Sequence, residues 1–225
     1  MPDVEQMIQR QKMLADFGEF ALRCDDLGEI LQEACRLVGE TLGTSRAKVL
    51  EIQEGGKVLW VRAGVGWAEG VVGRVRLPMT EHSSETYSIE KRVLVVTQDI
   101  SKEDRFQVPE FMKKAGVVAL VNAPILLPGE RAYGLLQMDD TEPREFGEED
   151  TEFLRTYTII LGPMLDRLLK VSELRRTEER FRLMMEEARD YAIFTADRDD
   201  RIIDWLPGAA AVYGWSAEEA RGQWS

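Results

Sequence analysis

His82 is the only histidine in the chain, and Cys24 and Cys35 are its only cysteines. One histidine can build neither a Ser-His-Asp triad nor a multi-histidine metal site. Both cysteines fall in stretches of helical periodicity, where a buried, structural thiol is the expected role. The glycines Gly64, Gly66, Gly70 and Gly73 suggest a phosphate-cradling loop, but the lysine and following Ser or Thr that such a loop needs are missing. The residue types therefore favour binding and relay over covalent chemistry.

Composition narrows the partners. The 225 residues carry a formal charge of −12, which argues against holding nucleic acid or an anionic membrane through bulk electrostatics. Two cysteines make no disulfide framework, and the N-terminus has no basic-then-apolar signal segment. The most apolar stretch, from Gly116 to Leu127, is too short for a bilayer and contains Asn122 and Pro124. A cytoplasmic protein is the expectation.

The segments that must position any site alternate between two periods. Asp3 to Leu22 reads as a helix, with Met7, Leu14, Phe17 and Ala21 near one stripe. It is expected to pair with its own copy or to lie against a later helix. Asp26 and Glu29 open a second helix, whose buried face is Leu27, Ile30, Leu31, Ala34, Cys35, Val38 and Leu42; Gly43 stops it. Strand patterns cover Ala47 to Gln53 and Lys57 to Ala63, joined by Glu54-Gly55-Gly56. Val75 to Leu77 and Val93 to Thr97 are short strands, and Ser84 to Lys91 and Pro109 to Ala115 short helices. Val117 to Leu127 and Tyr133 to Met138 complete an α+β set with a mainly antiparallel sheet.

A long helix follows from about Phe153 to Ala188. Leu154, Tyr157, Leu161, Met164, Leu168 and Val171 recur at steps of three and four, an apolar seam along one side. Gly162-Pro163 predicts a kink or restart, since Pro163 cannot donate to the carbonyl of Ile159. Beyond Leu169 charge rises and the apolar positions thin to one stripe, which suits a partner helix. Met7, Leu14, Leu161, Met164, Leu168 and Val171 are the candidate dimer-interface residues, in a parallel homodimer.

Several short motifs occur in one order: Arg62-Ala63-Gly64-Val65-Gly66-Trp67, Val93-Leu94-Val95-Val96 leading to Asp99, Glu103-Asp104-Arg105-Phe106, Ala123-Pro124-Ile125, Tyr133-Gly134-Leu135-Leu136 and Phe146-Gly147-Glu148-Glu149-Asp150. Together they make Ser45 to Asp150 resemble a GAF domain, a sensing and dimerisation module of signalling proteins. The resemblance implies about six strands, the first helix and the connector on one face, and a ligand cavity under the short helices on the other. Further on, Tyr191-Ala192-Ile193-Phe194, the turn Asp197 to Arg201, Trp205-Leu206-Pro207-Gly208 and Tyr213-Gly214-Trp215-Ser216 resemble the start of a PAS domain. Leu206 stands where that family usually has asparagine, and Asp200 where it usually has glycine. The chain stops near the middle of such a domain, so it reads as a fragment of a longer protein.

The expected plan is an N-terminal dimerisation helix (1–24), a GAF-like domain (25–162), a coiled-coil-like linker (163–186) and a PAS-like beginning (187–225). By the resemblance, Trp67, His82, Thr86, Tyr87, Phe106, Met112 and Asn122 are candidate cavity residues, with Trp67, Tyr87 and Phe106 lining the pocket and His82 at its rim. Bilin binding would need a cavity cysteine beside His82, and a cyclic-nucleotide site would need an Asn-Lys pair where Asp139-Asp140 stands. No cofactor is identified; an unknown small ligand remains. The implied function is the sensory and dimerisation region of a sensor histidine kinase, with the kinase or another output domain in the same chain. A diguanylate cyclase or a transcriptional activator could carry the same input. The rival from another class, a free methionine sulfoxide reductase, needs cysteines around the cavity.

Overall fold

The apolar stripe of Leu27–Leu42 (α2) is a sound starting point, because its two ends are fixed by local chemistry. The Asp26 carboxylate accepts the backbone N–H of Glu29 at 2.8 Å, and Gly43 closes the helix in the left-handed region, at φ 63°. Ile30, Leu31, Ala34, Cys35 and Val38 are fully buried on the face between. They pack on one side of a six-stranded sheet. A computed structural model describes residues 4–187 and 191–224, so Asp3 and Ala188, the expected limits of two helices, lie outside the described residues. The described chain divides into two units at Leu169.

In the first unit the sheet comprises Arg46–Gln53 (β1), Val58–Val65 (β2), Arg76–Pro78 (β3), Val95–Thr97 (β4), Ala119–Leu127 (β5) and Arg131–Asp140 (β6), in the order β3-β2-β1-β6-β5-β4. Every neighbouring pair is antiparallel. Strand alternation sends Val49, Val121, Ala123, Leu136 and Met138 to the face that carries α2, the helix Val4–Arg23 (α1) and the first part of Glu148–Glu187 (α5). Phe17 of α1 meets Tyr157 of α5 with ring centroids 4.8 Å apart, and Arg167 donates to the carbonyls of Ala21 and Cys24 at the end of α1. Thus α1 lies against α2 and α5, while Met7, Val4 and Ile8 stay exposed.

Two expectations are corrected on α5. Of the kink or restart expected at Gly162-Pro163, the restart does not occur: the helix is continuous from Glu148 to Glu187. Ile159 and Pro163 are both exposed, so the carbonyl that loses its partner lies on the solvent side, where water can satisfy it. Gly162 faces the sheet; a Cβ there would lie 2.0 Å from the carbonyl oxygen of Leu126, so glycine permits the close approach of helix to β5. Secondly, Leu161 and Leu168 are not interface residues. They are buried in the domain's own core with Leu154, Tyr157 and Leu165. The seam was read correctly as apolar, but the surface that covers it is α1 and the sheet. Leu14 and Met164 are partly buried beside the same core, and Val171 is exposed.

The other face of the sheet carries Ser84–Lys91 (α3), Glu110–Lys114 (α4) and the loops between. Its apolar packing is split into two smaller groups, one around Leu50, Leu59, Val61 and Leu135, the other around Met112, Val117 and Leu120. Polar side chains fill the space between.

The second unit pairs Phe194–Ala196 (β7) with Ile202–Trp205 (β8). In the connecting turn Asp197 accepts the N–H groups of Asp199 and Arg201, and Asp200 adopts φ 57°, the left-handed backbone that Asp tolerates. Pro207–Tyr213 (α6) starts at Leu206 without a side-chain cap, whereas Ala217–Ala220 (α7) has both halves of the Ser216–Glu219 capping box. Ile202, Trp205, Ala209 and Ala220 form its core.

Candidate functional site

Three central strands place a polar residue at the same level of the sheet. Lys48 on β1 is opposite Gln137 on β6, and Gln137 is opposite Asn122 on β5. Asp139 follows two residues along β6, on the same face. All four are fully buried. From above, α3 lays Glu85, only 1% exposed, over β5 and β6. Ser83 caps this helix through the N–H of Thr86, and the buried Ser84 hydroxyl donates to Glu85 while it accepts the Asn122 amide N–H at 3.0 Å.

The charges are tightly disposed. Lys48 Nζ lies 2.6 Å from Asp139 Oδ2, and also 4.2 Å from the Trp67 ring centre and 5.9 Å from that of Phe111. Burial pushes the Lys48 ammonium below its ordinary value and the Asp139 carboxyl above it, and their mutual attraction opposes both shifts. Glu85 is likewise pushed up by burial, against weaker opposition from its own backbone N–H and Lys48. Glu85 Oε1, Asn122 Oδ1, Gln137 Oε1 and Asp139 Oδ1 are buried and accept no hydrogen bond. Buried oxygens without a donor are uncommon and costly.

A groove of about 770 Å³ opens nearby, lined by Leu77, Ser83, Ile100, Phe106 and Phe111 among others. Phe111 links the groove to the buried polar set, since its ring also approaches Trp67 and Lys48. At the groove's edge Arg105 and the Thr97 hydroxyl hold Glu103 down to about 2.

The seven expected cavity residues divide. Asn122 belongs to the polar level itself, Met112 touches it through Gln137, and Trp67 covers Lys48. Thr86 is buried, but its contact is the Ser83 cap. Phe106 lines the groove and is not part of the polar level. One placement is corrected. Tyr87 is 40% exposed and its ring lies tilted against that of Phe106, with centroids 5.3 Å apart: it follows Glu85 by two residues, about 200° around the helix. His82, expected at the rim, is exposed in the loop before α3, where its carbonyl accepts the N–H of Gln107, a residue of the groove, at 2.8 Å. Lys48, Ser84, Glu85, Gln137 and Asp139 were missed. The available signal was polar residues interrupting apolar strands, as in Leu135-Leu136-Gln137-Met138-Asp139.

Residues 26–162 match the GAF domain family. The chain belongs to that family. Its GAF domain, a sensory domain found in signalling proteins, superposes on that of an Acinetobacter phosphoenolpyruvate-protein phosphotransferase at a TM-score of 0.63 and 16% identity, over 77% of this chain and 99% of the other. The corresponding domain from Coxiella burnetii gives 0.66 and 17%, over 74% and 98%. A free methionine-R-sulfoxide reductase from Neisseria meningitidis, in complex with its substrate, gives 0.62 and 15%, over 72% and 91%. At these identities the likeness is one of fold. A comparison with curated proteins gave no match. Among the described residues, no group of three or more His, Cys, Asp or Glu is arranged to hold a metal ion, and no helix is long and apolar enough to cross a membrane.

Proposed function

We propose that this chain is the cytoplasmic input region of a sensor histidine kinase, in which the GAF domain detects a small molecule between α3 and the central strands. The observation that carries the reading is the buried polar level Lys48, Gln137 and Asn122 with Glu85 above it, on a GAF fold. A face meant only for packing would be apolar, since each buried polar group costs free energy that leucine or methionine would not. Occupancy would reset α3, which is tied to β5 by the Asn122–Ser84 bond, and through β5 would bias α5, whose Gly162 rests on Leu126. The continuous α5 and the PAS-like hairpin and capping box that follow it support an in-line relay. A homodimer completes the proposal; of the expected interface residues, Met7 on α1 and Val171 on α5 are the ones that stay exposed and can meet a partner. The reductase alternative gains nothing from the thiols: Cys24 and Cys35 belong to the helical core on the opposite face, where burial pushes Cys35 up to about 12.

The test is amide hydrogen exchange with and without fractions of a bacterial metabolite pool. At least one fraction should slow exchange in Ser84–Lys91 and change it along α5. Uniform exchange with every fraction would refute detection at this site.

A further inference from the structure

The outward side of α1 is divided lengthwise by charge. The face turned to the core carries Met13, Phe17 and Ala21. One flank of the exposed surface collects Glu5, Lys12, Asp16, Glu19 and Arg23. On the other flank Val4, Ile8, Gln11, Ala15, Gly18 and Leu22 recur at alternating steps of four and three, the spacing of a coiled-coil seam. At 3.6 residues per turn this stripe is about 80° wide, and it holds no charge. Val4, Ile8, Gln11, Ala15 and Leu22 are exposed, and a Cβ built on Gly18 would meet nothing within 4 Å.

Charge says what covers it. The helix has three acids, Glu5, Asp16 and Glu19, and three bases, Arg10, Lys12 and Arg23, so it is neutral in a chain that carries −12. Two copies of α1 therefore meet without the net repulsion that opposes contact elsewhere. The flanking charges also select a direction. Antiparallel copies would set Glu5 against the partner's Glu19, and Lys12 against the partner's Lys12. Parallel copies set Lys12 beside the partner's Met7 and Glu19 beside the partner's Leu14, with no like charges opposed. Ala15 and Gly18 are small, which lets the two backbones approach in the middle of the seam. We infer that α1 pairs in parallel with α1 of a second copy along this stripe, an inference that rests on the homodimer of the proposed function and gives it a surface. Within the first unit α5 runs beside α1 in the same direction: Arg10 meets Asp150, Phe17 meets Tyr157, and Arg167 meets the carbonyls of Ala21 and Cys24. A parallel pair of α1 thus starts both copies of α5 towards the same end, as a relay to a shared output requires.

The experiment is sedimentation velocity of the full chain at tens of micromolar, where the parent should run as a dimer. Ala15→Glu puts a carboxylate from each copy into the seam and should weaken association at least about 100-fold, since a buried charge without a partner is costly. Asp16→Lys, one residue on but on the charged flank, should leave association unchanged. Circular dichroism confirms that each variant is folded; should Ala15→Glu not fold, Ile8→Glu takes its place with the same expectation. Direction is read by disulfide cross-linking. Ile8→Cys should link to its own copy under mild oxidation, because a parallel pair sets it opposite itself; in an antiparallel pair it faces residue 18, about 15 Å further along the axis. The parent, whose Cys24 and Cys35 are buried, should not link. A dimer that tolerates Ala15→Glu, or one in which Ile8→Cys fails to link, would overturn this pairing and leave the homodimer to another surface. A monomeric parent would overturn the pairing and the homodimer together.

Discussion

Replacing Lys48 with methionine keeps the length of the side chain and removes its charge, so it isolates the buried ion pair. At 2.6 Å and an effective dielectric constant of about 20, the attraction to Asp139 is roughly 6 kcal/mol before desolvation is subtracted. Both groups are fully buried, and desolvation consumes much of that figure. Removing only one partner strands the other, which by precedent costs about 3–5 kcal/mol. For a unit of this size each kcal/mol moves Tm by about 2–4 °C, so Lys48→Met should melt roughly 6–20 °C lower at pH 8. The loss should depend on pH in a definite direction. Without Lys48 the Asp139 carboxyl titrates above its ordinary 3.8 in the folded state, so the folded protein binds the extra proton. The penalty is therefore full above the folded pKa and fades as pH falls through it towards the unfolded value. Lys48→Met/Asp139→Leu removes both charges and should recover to within about 1 kcal/mol of the parent. Urea and thermal unfolding between pH 5 and 8 measure all three proteins. A single variant as stable as the parent at pH 8, or a double variant no better than the single, would refute the reasoning.

Leu168→Glu should abolish the folded GAF domain in near-ultraviolet circular dichroism, because Leu168 is core, whereas exposed Glu173→Lys should leave it intact. A folded, merely monomeric Leu168→Glu protein in sedimentation would return that residue to a partner surface. Gly162→Ala should lose about 1–3 kcal/mol in urea unfolding, since its Cβ would collide with the Leu126 carbonyl; unchanged stability would mean that α5 can lift off β5 freely. In a Cys24→Ser background, Cys35 should react with a thiol reagent at pH 8 only as fast as the protein opens, being buried and shifted to about 12. Immediate labelling would contradict that placement.

Local chemistry was readable where one residue type had one reason to be present. Asp26, Gly43, Ser216 and the limits of α3 at Ser84 and Lys91 follow from caps and turns, and the buried stripe of α2 follows from its period. The six-stranded sheet came from resemblance, since no strand announces its neighbours. For the same reason the polar level escaped notice: Lys48, Gln137 and Asn122 are 89 and 15 residues apart and meet only through cross-strand register. Leu168 was misassigned because an apolar seam is the same whether a helix of its own domain or of another molecule covers it. Tyr87 was misassigned because aromatic character was weighed above helical phase.

A face that keeps a lysine, two carboxyls and two amides from water also constrains how the domain can evolve. Leucine and methionine would fill the same volume without loss, so under the proposed sensory role it is detection that keeps the polar set in place. A lineage that retained the scaffold and abandoned detection should drift towards an apolar face. The order of loss would be dictated by stability: Glu85, Asn122 and Gln137 can leave one at a time, whereas Lys48 and Asp139 must leave nearly together, because either alone is worse than both or neither. A pair that is absent as a pair would then mark descendants that no longer listen.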